Sequence, residues 1–90
     1  MKKIKIVHYL PNLTNGGIEM MLFNYYQKIK NQCTFVVIIH ESPAPNCLEK
    51  FESNGIKVYQ IEHWSRNLIL NFKQLHYILK IEKPDFTYAS

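Results

Sequence analysis

Three apolar runs along the chain have the pattern of buried β-strands. They cover residues 4–10, 34–39 and 56–61, and the first two are almost unbroken in hydrophobicity. Strands of a parallel sheet are covered on both faces and show such runs, whereas half-exposed strands alternate apolar with polar residues. A fourth, shorter run at 85–89 follows Pro84. We therefore predict four strands.

Helical spacing of apolar residues separates these strands. The stripe that begins after Gly17 recurs every three or four positions and consists of Ile18, Met21, Leu22, Tyr25, Tyr26 and Ile29. A second stripe, which ends before Pro84, consists of Leu68, Phe72, Leu75 and Leu79. Between them the sequence predicts a short helix, capped by Asn46 and ended at Asn54-Gly55. The apolar residues of both stripes should turn toward the core.

Strand and helix thus alternate as βαβαβαβ, which predicts a doubly wound α/β, Rossmann-like fold. Right-handed crossovers place the strands of the parallel sheet in the order 3-2-1-4. Ligands of such sheets bind outside the carboxyl ends of the strands where the order reverses, here between strands one and four. A single helix cannot cover the second face, and strand four is an open edge. We therefore expect residues 1–90 to be the front part of a longer domain, with self-association through the fourth-strand edge as an alternative.

The loop from Asn12 to Glu19 lies at this reversal point. Its Gly16-Gly17 pair lets the backbone take φ > 0 and lets a ligand approach closely. The helix start that follows offers unpaired N–H groups to a phosphate, so Asn15, Gly16, Gly17 and Glu19 are the candidate diphosphate loop. An ordinary turn explains the glycines as well, and Glu19 can either cap the Gly16 N–H or contact a ligand. The loop matches neither a Walker A sequence nor GxGxxG.

Composition excludes several function classes. The 90-residue chain has 47% hydrophobic and 20% charged residues, which is globular composition. Its net charge of +4 comes from scattered lysines and a single arginine, Arg66, so no nucleic-acid groove is predicted. No apolar run approaches a bilayer span, and no signal peptide precedes the first strand. We expect a cytoplasmic protein.

Side chains near the predicted strand ends are the remaining candidates. His8, His40 and His63 match no metal-ligand spacing, so we predict no metal and interpret them as cleft-lining or structural histidines. Trp64 and Arg66 can stack on a sugar ring or lipid head group, or Trp64 can be a partly exposed packing residue. His8, His40, Trp64 and Arg66 form the candidate acceptor cleft. Cys33 and Cys47 lack metal or CxxC spacing and are predicted to be buried reduced thiols.

Six segments carry a family resemblance in their order and spacing. They are Lys5-Ile6-Val7-His8, Asn12-Leu13-Thr14-Asn15-Gly16-Gly17-Ile18-Glu19, Asn24-Tyr25-Tyr26, Phe35-Val36-Val37-Ile38, Gly55-Ile56-Lys57-Val58-Tyr59 and Glu82-Lys83-Pro84-Asp85. Together they resemble the N-terminal domain of a GT-B glycosyltransferase, more narrowly family four, the retaining enzymes of bacterial capsule, exopolysaccharide and cell-envelope synthesis. Tyr88-Ala89-Ser90 departs from the histidines that the family often has at the end of the fourth strand.

The resemblance implies an acceptor-side domain whose donor-binding, C-terminal partner domain is absent from these 90 residues. It implies that the Gly16-Gly17 loop reaches the diphosphate of a nucleotide-sugar donor, and that the acceptor is a glycan or a lipid-linked glycan. No cofactor or metal is implied, and the catalytic residues lie outside this chain. Peripheral contact with the inner face of the membrane, through Tyr25, Tyr26, Lys28 and Lys30, is a further expectation.

Two readings without a second domain stay open. One is a stand-alone phosphate- or nucleotide-binding module of flavodoxin-like type. The other is a non-catalytic fragment that self-associates. Under the glycosyltransferase reading, the larger protein is the enzyme and the 90-residue chain alone is expected to be inactive.

Overall fold

Seven elements alternate along the chain in the computed structural model, which describes residues 3–10, 12–13 and 16–89. They are β1 (Ile4–Tyr9), α1 (Gly17–Ile29), β2 (Cys33–Ile39), α2 (Pro45–Ser53), β3 (Lys57–Gln60), α3 (Leu68–Glu82) and β4 (Phe86–Ala89). The sheet is parallel throughout and has the order β3-β2-β1-β4. The predicted α/β class, element succession and strand order are therefore confirmed.

Strand β1 is one of the two inner strands of the sheet and pairs on both sides. Ile4 lies opposite Cys33 of β2, and Ile6 lies opposite Phe86 of β4. Because successive strand residues point to opposite faces, Ile6 and His8 face one side of the sheet and Val7 and Tyr9 the other. We name the two sides the α1 face and the α3 face after the helices that cover them.

The α1 face holds the larger core. Helices α1 and α2 pack on it, and its buried cluster consists of Leu10, Leu13, Phe23, Tyr26, Phe35, Val37, Ile39, Cys47, Phe51 and Ile56. Aromatic contacts join its layers: the Phe23 and Phe51 rings are 5.5 Å apart, and those of Tyr26 and Phe35 are 5.0 Å apart. Cys47 is fully buried, as predicted, whereas Cys33 is half-buried.

The α3 face has a smaller core because one helix covers it. Its buried cluster consists of Val7, Val36, Ile38, Ile61 and Ile78. The half-buried side chains Tyr9, Tyr59, Leu75 and Leu79 pack around that cluster. This helix, α3, has Asn67 as its N-cap, whose side chain accepts a hydrogen bond from the Leu70 N–H.

The predicted core stripes of α1 and α3 are partly wrong. In α1, Phe23 and Tyr26 are buried, whereas Ile18, Met21 and Tyr25 are more than half exposed. The spacing did not determine which side of α1 is buried. Apolar residues occupy more than half of the helix circumference, so either side could pack on the sheet. The side that carries Phe23 and Tyr26 is the buried one.

The same correction applies to α3. Leu68 and Phe72 are exposed, and the buried side chains are Asn71, Ile78 and Glu82. Asn71 and Glu82 can be buried because their side chains form hydrogen bonds with residues of the sheet and its loops. A purely apolar pattern could not reveal this orientation.

Helix α2 starts two residues earlier than predicted. Ala44 is its N-cap and Pro45 its first residue, so Asn46 does not cap it. Proline suits this position because its missing N–H would have no intrahelical acceptor there and its φ is already helical. At the other end Gly55 has φ +90°, the left-handed conformation that a glycine stop requires. Tyr26 donates from its hydroxyl to the Asn54 carbonyl in the same turn, at 3.2 Å.

A buried carboxylate lies on the α3 face at the amino ends of the strands, which we call the amino end of this face. Glu82 accepts from the ammonium groups of Lys5 and Lys57, both at 3.0 Å, and from the Tyr59 hydroxyl. Its side chain is 6% exposed. Burial alone would raise the pKa of Glu82, but the hydrogen bonds from Tyr59, Lys5 and Lys57 outweigh it and lower the pKa to about 2. We name this group the Glu82 cluster.

No helix in the described ranges is both long and apolar enough to cross a bilayer.

Candidate functional site

Four rings form a row at the carboxyl end of the sheet on the α3 face. Tyr9 ends β1, His40 follows β2, and His63 and Trp64 lie in the loop after β3. Neighbouring ring centroids are 5.0 Å apart for Tyr9 and His40, 4.6 Å for His40 and His63, and 5.5 Å for His63 and Trp64. The strands of a parallel sheet end at one edge, so residues distant in sequence meet there. We name this group the ring row.

The start of α3 fixes the ring row in place. Asn71 is 5% exposed and donates from Nδ2 to the Tyr9 hydroxyl at 3.1 Å and to the Glu62 carbonyl at 2.7 Å. Gln74 Oε1 accepts the Glu62 N–H at 2.7 Å. Two side chains of one helix thus attach the β3–α3 loop to α3, which makes the loop a defined surface.

His63 is oriented by the residue two positions after it. The Ser65 N–H donates to His63 Nδ1 at 3.1 Å, and the Ser65 hydroxyl lies 2.7 Å from the same atom. An accepting Nδ1 places the proton of the neutral ring on Nε2. His63 therefore has a preferred tautomer and a preferred ring direction.

His40 has no such partner. Both of its ring nitrogens are buried and make no hydrogen bond within the described part of the chain. Burial lowers the pKa of His40 and the adjacent His63 lowers it further, against a smaller opposing effect of Glu41. The ring is thus neutral at pH 7, with one donor and one acceptor nitrogen to offer. Unsatisfied buried polar atoms cost stability, so they call for a functional explanation.

Trp64 and Arg66 form the outer part of this edge. The Trp64 side chain is 56% exposed, and the Arg66 guanidinium lies 3.8 Å from the Glu62 carboxylate. The ion pair is exposed and therefore weak. The structure thus brings together three of the four predicted acceptor-cleft residues, namely His40, Trp64 and Arg66.

His8, the fourth, lies across the sheet on the α1 face. Its ring contacts Phe35, with centroids 4.5 Å apart, and stacks on Tyr88 at 5.8 Å. Its Nε2 is also buried without a hydrogen-bond partner in the described residues, and burial lowers its pKa. The sheet itself separates His8 from His40, so one ligand group cannot contact both at this edge.

The glycine loop is only partly described, since Asn15 lies outside the described residues. Gly16 is the N-cap of α1 and has φ −81°, so it does not use the positive φ that a glycine permits. Its N–H donates to Glu19 Oε2 at 3.1 Å, the capping bond that the sequence suggested. Gly17 is open on the side that the structure describes: apart from its chain neighbours and its own helix backbone, no described atom lies within 4 Å of a Cβ placed there. The helix start is accessible, but the Gly16 N–H is already used.

Sequence reasoning did not include Tyr9 and Asn71, and it left His63 as a cleft-lining or structural histidine outside the four-residue acceptor cleft. The sequence did contain a signal for His63, which follows a strand as His40 does. For Tyr9 the signal was alternation, since it shares a face with Val7. Asn71 gave a fainter one, a polar side chain within an apolar helix. No group of three His, Cys, Asp or Glu side chains in residues 3–10, 12–13 and 16–89 is arranged to hold a metal ion.

Comparison with known proteins gives no match: no family model, no curated protein and no solved structure is detectably similar to this chain. The glycosyltransferase resemblance accordingly remains a hypothesis that depends on the sequence segments. The function must be argued from the carboxyl edge of the sheet.

Proposed function

We propose that this chain is the acceptor-side part of a glycosyltransferase, which transfers a sugar from a nucleotide-sugar donor to a glycan or lipid-linked acceptor. The observation that carries the proposal is the ring row with the unpaired His40 imidazole at the carboxyl edge of a 3-2-1-4 parallel sheet. Sheets of this kind bind their ligands outside that edge. The order and spacing of the sequence segments supply the family.

The chemistry of the ring row suits a carbohydrate. A sugar presents an apolar C–H face and a rim of hydroxyl groups, and ligand sites commonly combine an aromatic surface with a few placed polar groups. The exposed indole of Trp64 supplies such a surface. His40 has a donor and an acceptor nitrogen that nothing in the described chain uses. Both nitrogens are buried, so the proposed sugar contact requires the imidazole to turn outward. Arg66 lies at the rim for a charged substituent.

The start of α1 suits the donor diphosphate less directly. The first N–H groups of a helix lack intrahelical acceptors and favour an anion. Glu19 already occupies the Gly16 N–H at 3.1 Å, so a diphosphate must use the next N–H groups or displace this carboxylate. We therefore propose a secondary donor contact here, with the main donor site on a separate domain. The 90-residue chain should bind acceptor without turning over donor.

Trp64 makes the test direct because it is the only tryptophan in the chain. Fluorescence titration with cellotriose, a short glucan, should change the indole emission in a saturable way. Amide-resolved NMR should place the largest shifts at 40–41 and 62–66. UDP and UDP-glucose should shift Gly16 through Glu19 more weakly.

Variants separate the sugar site from nonspecific binding. Trp64→Ala and His40→Ala should each weaken cellotriose binding at least about tenfold, as loss of a central contact does. His76→Ala, an exposed histidine of α3, is the matched control and should bind normally. A panel of glycans that leaves the emission of Trp64 and the NMR shifts unchanged would contradict the proposal.

The flavodoxin-like alternative has less support. The observed order 3-2-1-4 is the beginning of the 3-2-1-4-5-6 order, whereas flavodoxin-like sheets have the order 2-1-3-4-5. A general phosphate- or nucleotide-binding module remains distinguishable by experiment. It would bind UDP or inorganic phosphate at residues 16–19 and leave residues 62–66 unaffected by sugars.

A further inference from the structure

An open apolar groove runs along the α1 face between α1 and β4. It consists of two cavities of about 330 and 350 Å³, and His8 and Tyr25 line both of them. The groove is therefore continuous from Ile18, at the start of α1, to Tyr88 on β4. The ring row lies on the opposite face, so this groove is a separate surface.

The wall of the groove is a helix with two apolar sides. Ile18, Met21 and Tyr25 are 55%, 67% and 56% exposed, while Phe23 and Tyr26 on the other side of α1 are buried. A helix that is apolar on both sides is normally covered on both sides. The three exposed residues follow one another at spacings of three and four, so they form a single ridge.

Strand β4 extends the same surface. Phe86 and Tyr88 lie on the α1 face, opposite Ile6 and His8 in register, and are 56% and 57% exposed. The strand sequence is Phe-Thr-Tyr-Ala, which has none of the charges or prolines that commonly protect an edge strand. Face and edge are thus both uncovered.

We infer that a second copy of this chain covers this groove, with α1 of each copy lying in the groove of the other about a two-fold axis. A two-fold interface needs one surface that complements itself. The ridge Ile18–Met21–Tyr25 of one copy can insert into the groove of the other copy. The same three residues also form a wall of the groove, so each copy inserts a ridge and receives one. Among the described residues, no lysine or arginine lines the groove, so the described surfaces of two chains can meet there without opposed cations. This inference does not depend on the glycosyltransferase proposal.

The exposed apolar area is of the size that a dimer needs. An aromatic side chain has about 150–250 Å² to bury; with more than half exposed, Tyr25, Phe86 and Tyr88 offer roughly 300 Å² together. Ile18 and Met21 bring the apolar centre to on the order of 500 Å² per copy. A stable interface buries about 800 Å² per partner including its polar rim.

Sedimentation equilibrium of the full chain over micromolar to millimolar concentrations tests the dimer. The chain mass is 10.7 kDa, and we expect the mass to approach twice this value at high concentration. Met21→Glu places a charge at the centre of the interface and should raise the dissociation constant at least about tenfold. Tyr25→Glu should do the same independently.

Phe72→Glu on α3 is the matched control, because Phe72 is 68% exposed and lies outside the groove. It should leave the dimer intact, with circular dichroism confirming that all three variants keep the wild-type fold. A wild-type chain that sediments at 10.7 kDa throughout would overturn the inference. The inference would also be overturned if Phe72→Glu raised the dissociation constant as much as Met21→Glu does. Dimerisation would then depend on exposed apolar side chains in general and not on the groove.

Discussion

The two ends of the α3 face treat buried polar groups in opposite ways. At the amino end, Glu82 receives three donors, and its carboxylate remains ionised despite burial. At the carboxyl end, both nitrogens of His40 are buried and without a hydrogen-bond partner in the described residues. The same helix, α3, contributes to both ends, through Glu82 and through Asn71. The difference is that Glu82 finds its donors within the chain, whereas the described residues leave the His40 nitrogens to the proposed ligand.

The largest effect should come from breaking the amino end with Glu82→Gln. The amide keeps the shape but loses the charge that two lysines contact at 3.0 Å. A pKa of about 2 against an ordinary 4.5 corresponds to roughly 3 kcal/mol. Since the Lys57 side chain is 59% exposed, solvent screening should reduce the loss to about 2 kcal/mol in the free energy of unfolding. Urea denaturation at pH 7 measures it.

Glu52→Gln on the exposed side of α2 is the control and should change stability by less than about 0.5 kcal/mol. The folded pKa of Glu82 lies below its unfolded value, so its contribution is complete above pH 4.5 and is lost as the pH falls toward 2. The gap between wild type and Glu82→Gln should close over that window. A gap that is constant from pH 7 to pH 2 would show that the cluster acts by shape rather than by charge.

A smaller effect, of opposite sign, is expected at the carboxyl end. His40→Phe removes two unsatisfied nitrogens while keeping a ring beside Tyr9 and His63, and should stabilise the chain by about 1 kcal/mol at pH 7. The proposed glycan binding should weaken in the same variant. Denaturation curves together with the cellotriose titration measure this exchange of stability for function.

The pH dependence of His40 sharpens the same point. Its folded pKa is lowered from 6.5, so its protonation favours the unfolded chain and stability falls as the pH drops below 6.5. His40→Phe should reduce that fall. A destabilised His40→Phe would mean that the imidazole is satisfied, and the contrast between the two ends would fail.

The smallest effect should come from Tyr9→Phe, which removes the one hydrogen bond that Asn71 makes to the ring row. Asn71 keeps its bond to the Glu62 carbonyl at 2.7 Å, so we expect a loss of only about 0.5 kcal/mol. Tyr77→Phe, exposed on the same helix, is the reference. A loss beyond about 1.5 kcal/mol would place the carboxyl end among the stabilising regions as well.

The strand order could be predicted from sequence because its causes are local or general. Unbroken β-branched runs such as Val36-Val37-Ile38-Ile39 identify buried strands, and the handedness of crossovers then leaves few arrangements. The orientation of helices α1 and α3 could not be predicted, because Met21 and Phe23 are equally apolar and only packing against Phe51 selects between them. The ring row was half predictable: His40 follows a recognisable strand, but its contact with Tyr9 depends on pairing between strands.

The Glu82 cluster shows a harder limit. Lys5 and Glu82 are 77 positions apart, and Lys57 and Glu82 are 25 apart. No local pattern joins them, because the three come together only once the sheet has formed. Features built from such distant pairs are visible in a structure and silent in a single sequence.

The central position of β1 also has a consequence in time. The Lys5 N–H donates to the carboxylate of Asp85, which directly precedes β4 and lies 80 positions further along the chain. At about 5–20 residues per second of synthesis, roughly 4 to 16 seconds pass between the appearance of β1 and that of its second partner. During that interval the β1 edge of the nascent sheet stays unpaired on the ribosome. Closing a loop of this length also adds to the entropic cost of folding. This strand is thus the first to be made and the last to be completed.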